Sequence, residues 1–599
     1  MQNIDKANLQ ELIENITNAS QKTIQNLLDN QSDNSVDIRD ISHAYSLLSE
    51  KILAEPKEMA KVQALYQKFS NNQQALLKQI SERQLNHNKE YKPIIAPASG
   101  DKRFKAPEWD EAPYYFDFVK QNYLLVSQLM TEIVETVETD YYTKRKLNFY
   151  TKQYINAFSP TNFAITNPEV LKLAKETNGQ SLIDGFKSLL NDIQQGKISQ
   201  TDETIFQVGQ DLACTPGSVI FENELMQLIQ YTPTTKKVYE TPLVIIPACI
   251  NKYYLMDMRP ENSLVKFVVS EGITTFMVSW KSADVKLKDI IFDDYIEKGV
   301  FKAIEIAQEI TKSKKVNTLG NCIGGTILGT ALAILSSRKN TKDNPINSAS
   351  FLGSMVDFSD IGPISDLVSP DLVIKLEKSD LVQQGFLKGD AMEAGFNIVR
   401  SNDLIWNCVI NNYLKGKPAP PFDLLYWTND NTNVPAKMFL YYLRSMILEN
   451  KLSRKNALRI CNTQIDFGKI EVPVFAIGFT EDHIAPPQSV FITTELVSGN
   501  VEFILGGAGH VMGVTNAPSK NKYGYSVNGK LHNGYEHWKT TAKKYEGSWW
   551  TYWSQSLAKL SGKQIVATKK LGSAKYKVLE AAPGKYLKEK SKTINSIKK

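Results

Sequence analysis

Cys322 stands in the stretch LGNCIGGTILGT, at the centre of the pattern Gly320-x-Cys322-x-Gly324. That spacing marks a sharp strand-to-helix turn, which holds its central side chain at the carboxyl edge of a sheet. A serine there points to ester hydrolysis, whereas a thiol suits exchange of acyl groups between sulfur atoms, with the acyl group held as a thioester. A free thiol titrates at about 8.5 and needs a base at neutral pH. The chain has six histidines. His43 and His87 lie in polar helical sequence, His532 and His537 follow the last strand pattern in a weak metal-like spacing, and His483 sits in the turn TEDHIAPP. His510, in the glycine-rich loop GGAGHVMG immediately after an apolar run, is the candidate base.

The acid belongs after the strand pattern VPVFAIGF, where the turn TEDHIAPP supplies Asp482. Cys322, Asp482 and His510 then follow the nucleophile, acid, histidine order of α/β hydrolases. Taken singly, each has a plain structural reading: a small buried residue, a turn former, a loop histidine. Together, at three strand ends in that order, they form a catalytic triad. The N–H of Ile323 is the first oxyanion donor, and Cys249 or Ile250, in the loop IPACINKYY, is the candidate for the second.

These side chains need a parallel sheet beneath them. From about residue 235, short β-branched runs alternate with helices, at 242–247, 274–280, 316–320, 348–356, 472–479 and 501–507. Helical patterns fill 293–312 and 326–337, so Cys322 falls between a strand and a helix. The reading is an α/β-hydrolase fold with a helical cap insertion at about 360–455, preceded by a mainly helical N-terminal domain. The domains are expected at 1–200 and 201–599. Amphipathic helices are expected in LQELIENI and IQNLLDN, with a flexible link at 29–37.

Composition excludes several classes. Seventy basic against 64 acidic side chains give a net charge of +6, too balanced over this length to imply nucleic acid. The five cysteines, at 214, 249, 322, 408 and 461, include no CxxC pair and no zinc spacing. The first twenty residues lack the basic and apolar regions of a secretory signal, and the apolar run Ile327 to Leu335 is far short of the ~20 residues that span a bilayer. A cytoplasmic protein with no transmembrane segment, no metal and no bound cofactor is expected.

Longer stretches carry a resemblance. YINAFSPTNFAITNPEVL (154–171), PACINKYYLMDMRPENSLVKFVVSEG (247–272), RSNDLIWNCVINNYLKG (400–416), FDLLYWTNDNTNVP (422–435), EGSWWTYWSQSL (546–557) and LGSAKYKVLEAAPGKYLK (571–588), with the three site motifs, resemble the polyhydroxyalkanoate synthases of class I over roughly residues 100–590. Ala248, where that family commonly has a second proline, and SWKSAD at 279–284 depart from its pattern. The resemblance implies an acyltransferase that polymerises (R)-3-hydroxyacyl-CoA, chiefly 3-hydroxybutyryl-CoA, and releases CoA. It implies that Cys322 carries the growing chain, that His510 activates it, and that Asp482 orients His510 or assists deprotonation of the 3-hydroxyl. It further implies a homodimer and association with polyester granules and their coating proteins. The amphipathic N-terminal region, whose first hundred residues lie outside the resemblance, is read separately as granule-binding in addition to catalysis. An intact Cys, Asp and His in order argues against a binding module with a decayed site. A thioesterase or depolymerase of the same fold is the alternative, against which the cysteine weighs. Tyr426 and Trp427 fit a channel mouth, a dimer contact or core packing, and Arg400 either a CoA phosphate or a pair with Asp403.

Overall fold

Alternating β-branched runs and helices call for a parallel sheet, and the computed structural model contains one at its centre. The structure describes residues 38–85, 91–338 and 343–589. The two helices expected before residue 30, the link at 29–37 and His87 lie outside the described residues.

Eleven strands form the sheet: β1 Gly217–Glu222, β2 Met226–Tyr231, β3 Leu243–Ile246, β4 Thr275–Trp280, β5 Val316–Asn321, β6 Ile346–Leu352, β7 Val474–Phe479, β8 Val501–Gly506, β9 Tyr525–Val527, β10 Lys543–Tyr545 and β11 Glu580–Ala581. Their order is β10-β9-β8-β7-β6-β5-β3-β4-β2-β1-β11. The six from β4 to β8 run parallel, and the flanking strands are antiparallel. The six strands expected from sequence are these six parallel ones. The antiparallel additions on both flanks were not foreseen.

Side-chain alternation divides the apolar content between the two faces. Val244, Ile246, Phe276, Val278 and Phe351 join a core with the helix Ile323–Arg338, which is buried from Ile323 to Leu335 and so can be apolar all round. Leu243, Ile245, Met277, Ile477 and Phe479 join a second core with Trp549, Trp550 and Trp553 of the helix Trp549–Leu560. The stretch between β6 and β7 is largely helical, as expected of the insertion.

The chain divides into two units. One comprises the chain up to Asp202 together with Ala394–Pro421, and the other Glu203–Glu393 with everything from Phe422 onward. Within the first, helices Ile38–Ala54, Pro56–Leu85, Tyr115–Thr136 and Tyr141–Ala157 enclose several small apolar clusters. Asp140 caps the last of these helices through the N–H groups of Tyr142 and Thr143, and a buried Arg83–Asp117 pair stands between two others. Among the described residues, no helix is long and apolar enough to cross a membrane.

Candidate active site

Cys322 has φ +53°, the left-handed region that non-glycine residues rarely occupy, as the strained turn between β5 and the helix Ile323–Arg338 requires. Its N–H donates to the Leu352 carbonyl at 3.0 Å, and its carbonyl accepts from Gly325 N–H at 2.8 Å. The glycines around it answer to close approach. A Cβ on Gly324 would lie 2.3 Å from the Ile246 carbonyl oxygen and 2.4 Å from that of Pro247, and one on Gly325 would lie 2.1 Å from Ser354 Oγ. The elbow is thus packed directly against the chain leaving β3 on one side and against Ser354 on the other. Ser354 Oγ donates to the Gly320 and Leu352 carbonyls at 3.2 and 3.1 Å. Sequence reasoning placed Ser354 inside an apolar strand and missed it as a support of the turn.

Asp482 follows β7 in a tight turn. Its Oδ1 accepts from the N–H groups of Ile484 and Ala485, both at 2.8 Å, and its side chain is fully buried. Oδ2 lies 2.6 Å from His510 Nδ1. His510 opens the short helix after β8, against Gly353 at the end of β6. Beneath it, Trp549 Nε1 donates to the Gly513 carbonyl at 2.9 Å and Trp550 Nε1 to that of Val514 at 3.1 Å, so the tryptophans of EGSWWTYW hold the histidine's helix.

The structure therefore brings Cys322, Asp482 and His510 together. Burial alone would lower the His510 pKa, but the Asp482 carboxylate and then Cys322, by charge and hydrogen bonding, outweigh it and hold the imidazole well above its ordinary range. With Nδ1 engaged by Asp482, Nε2 is the nitrogen left for the thiol. The arrangement can ionise a half-exposed cysteine and return its proton to a leaving group.

Ile323 is buried at the first turn of the elbow helix. Cys249 is 1% exposed, and burial, with a smaller push from Cys322, raises its thiol strongly. Burial, and then Cys322 and Cys249, raise the Tyr442 phenol well above its ordinary range. Tyr426 and Trp427 are both 7% exposed and pack in the second core. Arg400 pairs with Asp403 at 3.1 and 2.5 Å. His532 is exposed, and His483 is half-buried in the turn beside Asp482.

Comparisons with known proteins agree with the motifs. The family described as poly-beta-hydroxybutyrate polymerase (PhaC) N-terminus matches residues 100–268. The poly(3-hydroxyalkanoate) polymerase subunit PhaC of Cupriavidus necator is 40% identical over 82% of this chain and 83% of its own length. The poly(3-hydroxyalkanoate) polymerase of Methylorubrum extorquens is 40% identical over 83% and 82%, and polymerase 1 of Ectopseudomonas oleovorans 32% over 83% and 88%. Among solved structures, the monoacylglycerol lipase of Paleococcus ferrophilus aligns with 48% of this chain and 90% of its own at 12% identity and a TM-score of 0.30, a level that adds nothing to the fold read from the sheet.

Proposed function

The chain belongs to the poly(3-hydroxyalkanoate) polymerase family and is an acyltransferase, and from that premise we propose that it polymerises (R)-3-hydroxyacyl-CoA through a thioester on Cys322. The observation that carries the reading is the cysteine at the strained elbow within reach of a histidine whose Nδ1 is 2.6 Å from a buried carboxylate.

In this reading His510 takes the Cys322 proton, and the thiolate attacks the carbonyl carbon of the acyl thioester. The bond to the CoA sulfur breaks, and CoA leaves with the proton held by His510. The oxyanion is met by the Ile323 N–H and by an N–H of Cys249 or Ile250. The 3-hydroxyl of one unit then attacks the carbonyl carbon of the next unit's acyl thioester. An oxygen ester forms as that C–S bond breaks, and the sulfur leaves as a thiol carrying the proton given up by the hydroxyl, with Asp482 orienting His510 or assisting removal of that proton. Exchange between sulfurs is nearly balanced in energy, whereas conversion of a CoA thioester to an oxygen ester runs downhill and drives growth of the chain. Water must be excluded from the acylated thiol, a task assigned to the helical segments between β6 and β7. No metal or resident cofactor enters this scheme; CoA is the leaving group of the substrate.

The substrates are short acyl groups of about three to five carbons, chiefly 3-hydroxybutyryl, as the class I resemblance implies. The same resemblance supports a cytoplasmic homodimer at the granule surface, and the amphipathic pattern of the N-terminal residues supports their contributing to granule association. Incubation with 3-hydroxybutyryl-CoA, with released CoA and insoluble polymer both measured, tests the reading. Wild type is expected to yield both and Cys322→Ala neither. Release of CoA with only free 3-hydroxybutyrate would make the enzyme a thioesterase, and polymer from Cys322→Ala would remove the cysteine from the mechanism.

A further inference from the structure

Lys252 lies two residues beyond Ile250, at the far end of the loop that offers the second oxyanion donor, and is no part of the triad. Its side chain is 5% exposed, and its ammonium faces Asp430 Oδ1 at 2.8 Å and the backbone carbonyls of Leu587 at 2.7 Å and Glu589 at 2.8 Å. An ammonium carries three N–H donors, and a buried one persists only where it is paired and hydrogen-bonded. The loop's backbone is held by the same neighbours. Trp427 Nε1 donates to the Lys252 carbonyl at 2.7 Å, Tyr254 OH donates to Asp430 Oδ2 at 3.0 Å, and Asn251 forms a β-bridge with Asn431.

The tail that supplies the two carbonyls is itself anchored. β11 pairs with β1, Tyr586 N–H donates to Gln227 Oε1 at 3.2 Å, Tyr586 OH donates to the Asn223 carbonyl at 2.8 Å, and Lys585 pairs with Glu222 at 2.8 Å. At its near end the loop is pinned as well, since Trp280 Nε1 donates to the Pro247 carbonyl at 2.9 Å where that carbonyl abuts Gly324. The segment from Ala248 to Asn251 is therefore stretched between two clamps, one at the elbow and one at Lys252.

We propose that Lys252 is a positioning residue: by tying this loop to the carbonyls of the C-terminal tail, it sets where the loop's N–H groups meet the acyl oxygen held over Cys322. The tail thereby takes part in catalysis without touching substrate. This rests on the reading of Cys322 as nucleophile with an oxyanion donor in that loop.

The test uses the full chain. Lys252→Met keeps the stem and removes charge and donors; Lys252→Arg keeps a cation with several donors. CoA release from 3-hydroxybutyryl-CoA is resolved into kcat and KM, and hydrogen exchange is followed in peptides covering 248–256 and 580–589. For Lys252→Met, kcat per folded enzyme is expected to fall by about 10-fold or more, in the range of a misplaced oxyanion donor. KM should stay within about 2-fold, and exchange should rise in both peptides. Lys252→Arg should recover part of both effects. Faster exchange in the tail alone with kcat retained would overturn the proposal, as would lower thermal stability with unchanged kcat in the folded fraction. Should Lys252→Met fail to fold, Asp430→Asn, which loosens the same clamp from its other side, must show the kcat loss or the proposal falls. The underlying reading fails separately: it falls if Cys322→Ala keeps activity, whatever Lys252 does.

Discussion

Two loops leave adjacent parallel strands at the carboxyl edge of the sheet, and each carries a cysteine. Ile246 of β3 pairs with Gly320 of β5, so the loop bearing Cys249 and the elbow bearing Cys322 start side by side. Cys322 is half-exposed in a left-handed turn beside a histidine, whereas Cys249 is 1% exposed and held protonated by burial. Two sulfurs in one neighbourhood thus differ through backbone and solvent rather than through residue type. A thiol becomes a nucleophile where the chain forces it outward beside a base.

The sharpest test of that contrast replaces sulfur with oxygen at the elbow. Cys322→Ser retains the turn but forms an oxygen ester, and we expect kcat to fall roughly 10³-fold or more with thermal stability little changed. Next in size is Asp482→Asn, which leaves the ring position and removes the charge that holds the His510 proton; kcat should fall about 10²- to 10⁴-fold. The same variant has a pH signature. His510 binds its proton more tightly folded than unfolded, so this contribution to stability is complete below about pH 6.5 and is lost as pH rises through the folded value. The stability advantage of wild type over Asp482→Asn, measured by urea unfolding, should therefore be greatest near about pH 6 and shrink toward about pH 9. An advantage that grew with pH would mean that His510 is not held protonated.

Gly324→Ala probes the seam between the two loops. Its methyl group would meet backbone oxygens of Ile246 and Pro247 at 2.3 and 2.4 Å, and neither can swing aside as a flexible side chain would. A loss of about 1–3 kcal/mol of stability is expected, with reduced activity in the folded fraction. Smallest of all should be Cys249→Ala. Activity within about 2-fold of wild type and a stability loss of about 1 kcal/mol fit a buried packing thiol. Iodoacetamide followed by mass spectrometry should label Cys322 well before Cys249, and equal labelling would erase the distinction.

The sequence reading reached the parallel strands and the three side chains that the structure brings together because both are locally encoded: continuous β-branched runs for the one, loops or turns after them for the other. The flanking strands were not legible in the same way. β2 reads MQLIQY, and its Gln227 and Gln230 break the apolar pattern; Gln227 donates to Glu222 and to the distant Glu580, and Gln230 accepts from the distant Gly572 N–H. β10 is KKY, exposed throughout, with no alternation to read. The helix expected at 293–312 is present, but Tyr295–Phe301 within it has π geometry, which apolar spacing at this resolution of reading does not distinguish. Lys252 and Ser354 lay within quoted motifs, yet their roles depend on contacts made by other segments.

The pairing of β11 with β1 has a consequence for how the protein is made. Ser218 must wait for Ala581, some 363 residues later, before that edge of the sheet closes. At the usual ribosomal pace of about 5–20 residues per second, the delay is on the order of 20–70 s. Throughout that interval the nascent chain holds the elbow, and later the acid and the histidine, while the border beside β1 stays open. That edge of the sheet is therefore closed by a segment made long after the strand it covers.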